Sequence, residues 1–318
     1  MGEAKRRRAA IENGPCPCGS GKPGNMCCYN GRIWHKPSAI LSLRALPPIS
    51  AVDKCYLREL GSCGGGISGE HLISESIMLL LQGDGDFSIS GVPWLAEGET
   101  KILPTGALTA NCLCRTHNSA LSPLDSAALY FFRSLKSSLE DKPGDARAIV
   151  SGHDIERWLL KTVKALAASR NLARGTEKLS GAFSSDIQVL NMLDDPASWP
   201  EGAGLYCVMS AGDLTENHRR FQLQPYTNHR DEICGLTVSI LGLVFVLMLE
   251  PPDSALRQRL GEARYRPGSI SITYPSSTSW IFISWEDGKP HKEFALRVVR
   301  TIGSMEPLRQ QSVSGRKS

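Results

Sequence analysis

The chain has 318 residues, a formal net charge of +4 and 41% hydrophobic residues. That length and apolar content allow two ordinary domains with a real core, without crosslinks to hold them. The charge is too mild to argue for a polyanionic partner by itself, although it permits one.

The opening "MGEAKRRRAAIENG" carries basic residues with no apolar run behind them, which excludes a secretory signal. Arg6 stands where a myristoylation signal has Ser or Thr, so that anchor is excluded too. Residues 1–12 read as a charged arm, and the closing "GRKS" as a solvated tail. Eight of the ten cysteines fall before residue 115: Cys16, Cys18, Cys27, Cys28, Cys55, Cys63, Cys112 and Cys114. Clustered cysteines without an export signal predict metal sites rather than disulfides, and a cytoplasmic protein. The isolated Cys207 and Cys234 read as small buried hydrophobes.

In chain order, a knot rich in Gly, Pro and Cys (14–30) is followed by a linker, "KPSAILSLRALPPIS" (36–50). A Cys- and His-bearing region runs from 51 to about 145. Within it, Ser122 and Pro123 predict the start of a helix over 122–141, with Leu124, Ala128, Phe131, Phe132, Leu135 and Leu139 on its core face. "GHDIERWLLKTVKALAASRNLARG" (152–175) predicts a core-facing or bridging helix. Beyond 200 the pattern is strands: "GLYCVMSA", "HRRFQLQPY", "LTVSIL", "LVFVLML", "SISITYP", "WIFISW" and "EFALRVVR". The apolar run 233–252 is β-branched and split by Gly235 and Gly242, so it reads as two buried strands rather than a membrane span. Asp287-Gly288 predicts a hairpin joining the last two strands.

"CPCGSGKPGNMCC" (16–28) has the spacing C-x-C-x8-C-C, with glycines that let the backbone fold tightly between paired thiols. Its "GSGK" is not a phosphate loop, because Pro23 replaces the required Ser or Thr. The segment closely resembles the SEC-C motif, the short zinc knot at the tail of the SecA preprotein translocase motor. The resemblance implies one zinc on Cys16, Cys18, Cys27 and Cys28, and docking to a protein partner rather than chemistry.

Downstream, Cys55 and Cys63 precede Glu70-His71, and Cys114-x-x-His117 precedes Asn118. Two ligand pairs separated by a gap suit a structural zinc, with Cys112 a rival to Cys114. The motifs "EHLI" and "LCRTHN" resemble those of the HNH, or ββα-metal, nucleases over roughly residues 51–130. The resemblance implies Glu70 and Asn118 as ligands of a catalytic Mg²⁺ or Mn²⁺, His71 as general base, and Asn111 orienting His71. Such chemistry needs a base that titrates near neutrality and oxygen ligands for a hard cation. Glu70 departs from the family's commoner Asp, and Asn118 from its closing His. The insert 72–110 fits a substrate-side elaboration or a lid, and its Asp84 and Asp86 read as a turn before metal ligands. Asp125 reads as a first-turn acid suiting a helix dipole, with a role in the site as the alternative. Arg115, Arg133 and Lys136 are candidates to meet phosphates.

The expected architecture is α+β. A basic arm and zinc knot (1–35) and a linker (36–50) lead to an HNH-like domain (51–145). A connecting amphipathic helix (146–180), a β-rich domain (181–303) and a tail (304–318) follow. The expected function is metal-dependent hydrolysis of nucleic-acid phosphodiesters, DNA before RNA. The alternative is a zinc-binding adaptor that docks protein or ribosome-associated partners. No membrane partner is expected.

Overall fold

The computed structural model describes residues 6, 9–10, 12–44, 50–82, 87–90, 92–96, 99–140, 146–174, 177–208, 221–261, 263–275 and 277–297. Most of the basic arm, residues 45–49 of the linker, Asp84 and Asp86, and the tail lie outside these residues. The chain is a mixture of helices and sheets. Its elements are β1 (Ile67–His71), α1 (Glu75–Gln82), β2 (Phe87–Ser90), β3 (Thr100–Leu103), β4 (Thr109–Cys114), α2 (Arg115–Ser138), β5 (Arg147–Ser151) and α3 (Gly152–Ala168). Then come β6 (Ala173–Arg174), β7 (Glu177–Lys178), α4 (Val189–Asp194), β8 (Gly204–Val208), β9 (Phe221–Thr227), β10 (Ile233–Ile240), β11 (Leu243–Met248), α5 (Ser254–Leu260), β12 (Arg264–Tyr265), β13 (Ser269–Thr273), β14 (Thr278–Ser284) and β15 (Glu293–Arg297).

Two larger sheets have the strand orders β12-β8-β11-β10-β9 and β15-β13-β14-β5, and three small ribbons are β1-β4, β2-β3 and β6-β7. The helix α3 touches β4 of the first ribbon, β5 and β14 of one large sheet, and β8 and β11 of the other. It is buried on every side although it carries charges all round. Three of its most buried charges, Glu156, Arg157 and Lys161, have an oppositely charged partner, as burial demands. Glu156 accepts from Arg266 at 2.9 and 3.0 Å, Arg157 pairs with Asp154 at 2.6 Å, and Lys161 pairs with Asp125 and Glu70.

The apolar run after residue 233 forms the antiparallel pair β10–β11, turning at Leu241-Gly242 with φ of 53° and 76°. Positive φ at both turn positions matches the twist of a two-residue hairpin. Pro225 sits on β9, an edge strand, where its missing N–H is tolerated. No helix among the described residues is long and apolar enough to cross a membrane.

Two expectations are corrected. First, α2 starts at Arg115, seven residues before the expected cap, and Pro123 lies inside it. Proline in a helix interior leaves the carbonyl four residues back without its amide. Here that carbonyl is Ser119, and the Ser122 hydroxyl donates to it at 2.8 Å. Ser122 therefore repairs the helix instead of starting it. Second, β14 and β15 are not a hairpin. β13 lies between them, antiparallel to β14 and parallel to β15. The Asp287-Gly288 turn does form, with Lys289 N donating to Asp287 Oδ1 at 3.0 Å. It begins a crossover rather than a tight return. The strand β5, absent from the sequence reading, completes this sheet by pairing parallel with β14.

Candidate metal centres and the Glu70–His71 strand end

In the N-terminal knot, Cys16, Cys18, Cys27 and Cys28 bring one sulfur each to within 4.8 Å of all the others. Cys18 Sγ lies 3.5 Å from Cys27 Sγ, and Cys27 Sγ lies 3.8 Å from Cys28 Sγ. With Zn–S bonds of about 2.3 Å, a tetrahedron has S···S edges of about 3.8 Å, so the spacing fits the ion. Positive φ at Gly19 and Gly21 turns the loop back on itself. A Ser20 hydrogen bond lowers the Cys18 thiol to about 6, whereas burial raises Cys16 and Cys28.

Cys55, Cys63, Cys114 and His117 form the second cluster, and all four are buried. Their ligand atoms also lie within 4.8 Å of one another. His117 Nδ1 is 3.3 Å from the sulfurs of Cys55 and Cys114 and 3.7 Å from that of Cys63. The S···N edge of a zinc tetrahedron is about 3.5 Å, again a fit. His117 Nε2 faces the Leu43 carbonyl at 3.2 Å, which fixes that nitrogen as the donor and leaves Nδ1 as the ligand. Both clusters can hold a structural zinc.

The junction of β4 and α2 assembles this second cluster. Cys114 ends the strand and caps the helix, its sulfur accepting from His117 N at 3.5 Å. The run after Cys63 satisfies other amides of the first turn, Gly66 O accepting from Arg115 N at 3.0 Å and Gly64 O from Thr116 N at 3.3 Å. Burial pushes the Cys55 thiol up to about 12 and pulls the His117 imidazole down. Cys114 shifts downward, because bonding from the His117 and Gly64 backbones outweighs its burial. Cys112 takes no part in the cluster. It is buried towards Glu70, and burial and that carboxylate raise its thiol to about 12.

β1 and β4 pair antiparallel, with Glu70 opposite Ala110 and His71 opposite Thr109. His71 ends the first strand. Its side chain is 30% exposed, but Nε2 itself is buried and has no hydrogen-bond partner among the described residues; Glu75 Oε2 is 3.9 Å away. Glu70 is 2% exposed and pairs with Lys161 Nζ at 3.0 Å. Asn118 donates from its amide to Ser68 Oγ at 3.2 Å, near the zinc end of β1. Ser68 and His71 are three residues apart, about 10 Å along the strand. Asn111 is exposed on β4 and makes no side-chain hydrogen bond among the described residues.

The group gathered at Glu70 is one that the sequence reading did not assemble. Lys161 Nζ also meets Asp125 Oδ2 at 2.6 Å, Ser74 donates to Asp125 Oδ1, and Trp158 Nε1 donates to Ser74 Oγ at 2.7 Å. Burial pushes the Glu70 carboxyl up against the pull of Lys161, while both acids hold the buried Lys161 ammonium above its ordinary value. No local signal announced it: at about 100° per residue Lys161 falls about 135° from the centre of the stripe formed by Ile155, Trp158, Leu159, Val163 and Leu166. Compared with protein-family models, with curated proteins and with solved structures, the chain matches none.

Proposed function

We propose that the protein is an HNH-type endonuclease that hydrolyses phosphodiester bonds of nucleic acid, DNA foremost. One observation carries this reading. A two-stranded ribbon runs directly into a helix, a thiol–imidazole cluster clamps the junction, and an acid–histidine pair ends the first strand. In this reading the His71 imidazole, 30% exposed, accepts a proton from the water that attacks phosphorus, and the leaving sugar oxygen takes a proton from solvent.

The divalent ion of such enzymes does not fit Glu70 as held here, since Lys161 already supplies a cation to that carboxylate. The same ion pair favours a second reading, a zinc-braced adaptor for protein partners in which the buried acids serve stability. Nicking of supercoiled plasmid, with Mg²⁺, with Mn²⁺ and with chelator, separates the two. The nuclease reading expects nicking that His71→Ala abolishes. Equal nicking by both proteins removes His71 as base, and none under any condition leaves the adaptor.

A further inference from the structure

The outer face of the four-stranded sheet carries a groove of about 800 Å³. Strand alternation builds it. Ile270, Ile272, Ile281 and Ile283 point into the core, so their neighbours Ser271, Trp280 and Phe282 face outward onto the groove. One wall comes from the zinc knot, whose Trp34 stacks on Phe282 at 4.5 Å between ring centroids with a 25° tilt. Trp34 is held from behind by Tyr29, at 5.1 Å, and by Gly24, where a Cβ would lie 2.6 Å from the indole. Cys28 packs on the same patch of the sheet. The knot is thus seated on its own chain, and its four cysteines fix the position of an aromatic wall.

The rest of the lining narrows the ligand. Trp280 is half-buried, offering a ring face, and the floor carries the Ser271 hydroxyl beside Thr278, whose own hydroxyl donates to Thr273 Oγ1 at 3.4 Å. At the rim, Arg32 and Lys289 are exposed and have no ion-pair partner among the described residues. Glu293 on β15 and Glu12 also line the groove, and both repel phosphate where they stand. Aromatic faces beside hydroxyls, with cations on one rim, suit unpaired bases on a phosphate backbone; a duplex hides its ring faces. We propose that this groove, formed jointly by the zinc knot and the sheet, binds single-stranded nucleic acid. Bases stack on Trp280 beside Trp34, and phosphates run past Arg32 and Lys289. The choice of ligand is in keeping with the nuclease reading, but the site is a different one.

The test uses the full chain carrying His71→Ala, so that binding is read without cleavage. Labelled oligothymidylate and oligouridylate of about a dozen nucleotides are titrated by anisotropy, with a duplex and a neutral oligosaccharide alongside. Both single strands are expected to bind and to quench tryptophan fluorescence, ahead of the duplex. Trp280→Ala is expected to weaken binding by about 5- to 150-fold. Arg32→Glu with Lys289→Glu, both on the exposed rim, is expected to weaken it at least tenfold and to flatten the salt dependence by about 1.4 in log–log slope. Unchanged binding in the rim variant, equal binding of duplex, or displacement by the oligosaccharide would overturn the proposal. Single-strand binding by a wild-type chain that never nicks keeps the groove and removes the nuclease. Nicking by a chain whose rim variant binds unchanged does the reverse.

Discussion

Lys161 Nζ lies 3.0 Å from Glu70 Oε1, joining the middle of α3 to the end of β1 through an ion pair in which both side chains are almost fully buried. Breaking such a pair from one side leaves a charge that water cannot reach. Lys161→Met is expected to cost about 3–5 kcal/mol in urea unfolding. The pH dependence follows from the two shifts. Glu70 titrates above its ordinary value, so the folded chain holds that proton more readily, and this contribution declines as pH rises through the raised range. Without Lys161 the rise is larger, so the variant's deficit is greatest near neutrality and shrinks in acid. Lys161 is shifted up from 10.5, so in the wild type its contribution is complete below that value and is lost as pH climbs through the raised one. A deficit independent of pH would refute this account.

The two thiol clusters differ in exposure, and their metal exchange is expected to differ accordingly. Cys18 and Cys27 are exposed, while every ligand of the second cluster is buried. Purified protein is expected to contain two zinc ions per chain by elemental analysis, released by chelator in a fast and a slow phase of equal size. Cys27→Ser should remove the fast phase and leave the chain folded. Cys63→Ser should remove the slow phase and much of the stability, because that cluster lies within the main core. Metal uptake displaces protons from the Cys55 and Cys63 thiols, both raised by burial, so affinity at the second site falls as pH falls. A single release phase would contradict the assignment.

How much of this was legible beforehand depended on the range of the forces involved. The first ligand set was legible in the close pairs Cys16-x-Cys18 and Cys27-Cys28, and the second only in part, because Cys55 and Cys63 lie eight residues apart. The choice of Cys114 over Cys112 was not legible, because alternation puts both on one side of β4. It is settled where the strand ends and the Cys114 sulfur turns to cap a helix. The strands after 200 showed in their β-branched runs, yet their order did not, since β13 enters between β14 and β15 through pairings that leave no local trace. Glu70 illustrates the same limit. The dipeptide Glu70-His71 is a local signal, but its neutralisation by a lysine ninety-one residues later is a tertiary fact.

Pro123 offers a test of how well α2 has absorbed its proline. Interior proline costs a helix about 3 kcal/mol relative to alanine, and the Ser122 hydroxyl recovers part by serving the Ser119 carbonyl. Pro123→Ala is expected to raise stability by about 1–3 kcal/mol. In that background Ser122→Ala should be nearly silent, whereas alone it should cost up to about 1 kcal/mol. Thermal melts of the four proteins form a double-mutant cycle, and additivity would show that the hydroxyl has no such role.

Glycine takes a positive φ at two positions with different surroundings, which separates strain from collision. Gly204 opens β8 with φ of +134°, and a Cβ there would fall on Glu156 Oε1, with Arg266 Nε 2.9 Å away. Glu156 is fully buried and bonded to Arg266 and to Leu205 N at 2.8 Å, so it has nowhere to retreat without leaving a buried charge unpaired. Gly261 ends α5 with φ of +54° and open space around it. Gly261→Ala should cost about 1–3 kcal/mol, the conformational penalty alone at φ of 54° and ψ of −120°. Gly204→Ala should add the loss of a buried charge network and cost more than about 3 kcal/mol, with loss of soluble protein as its extreme form. Comparable melting temperatures for the two variants would mean that Glu156 can move aside, and that the seating of α3 against β8 does not depend on it.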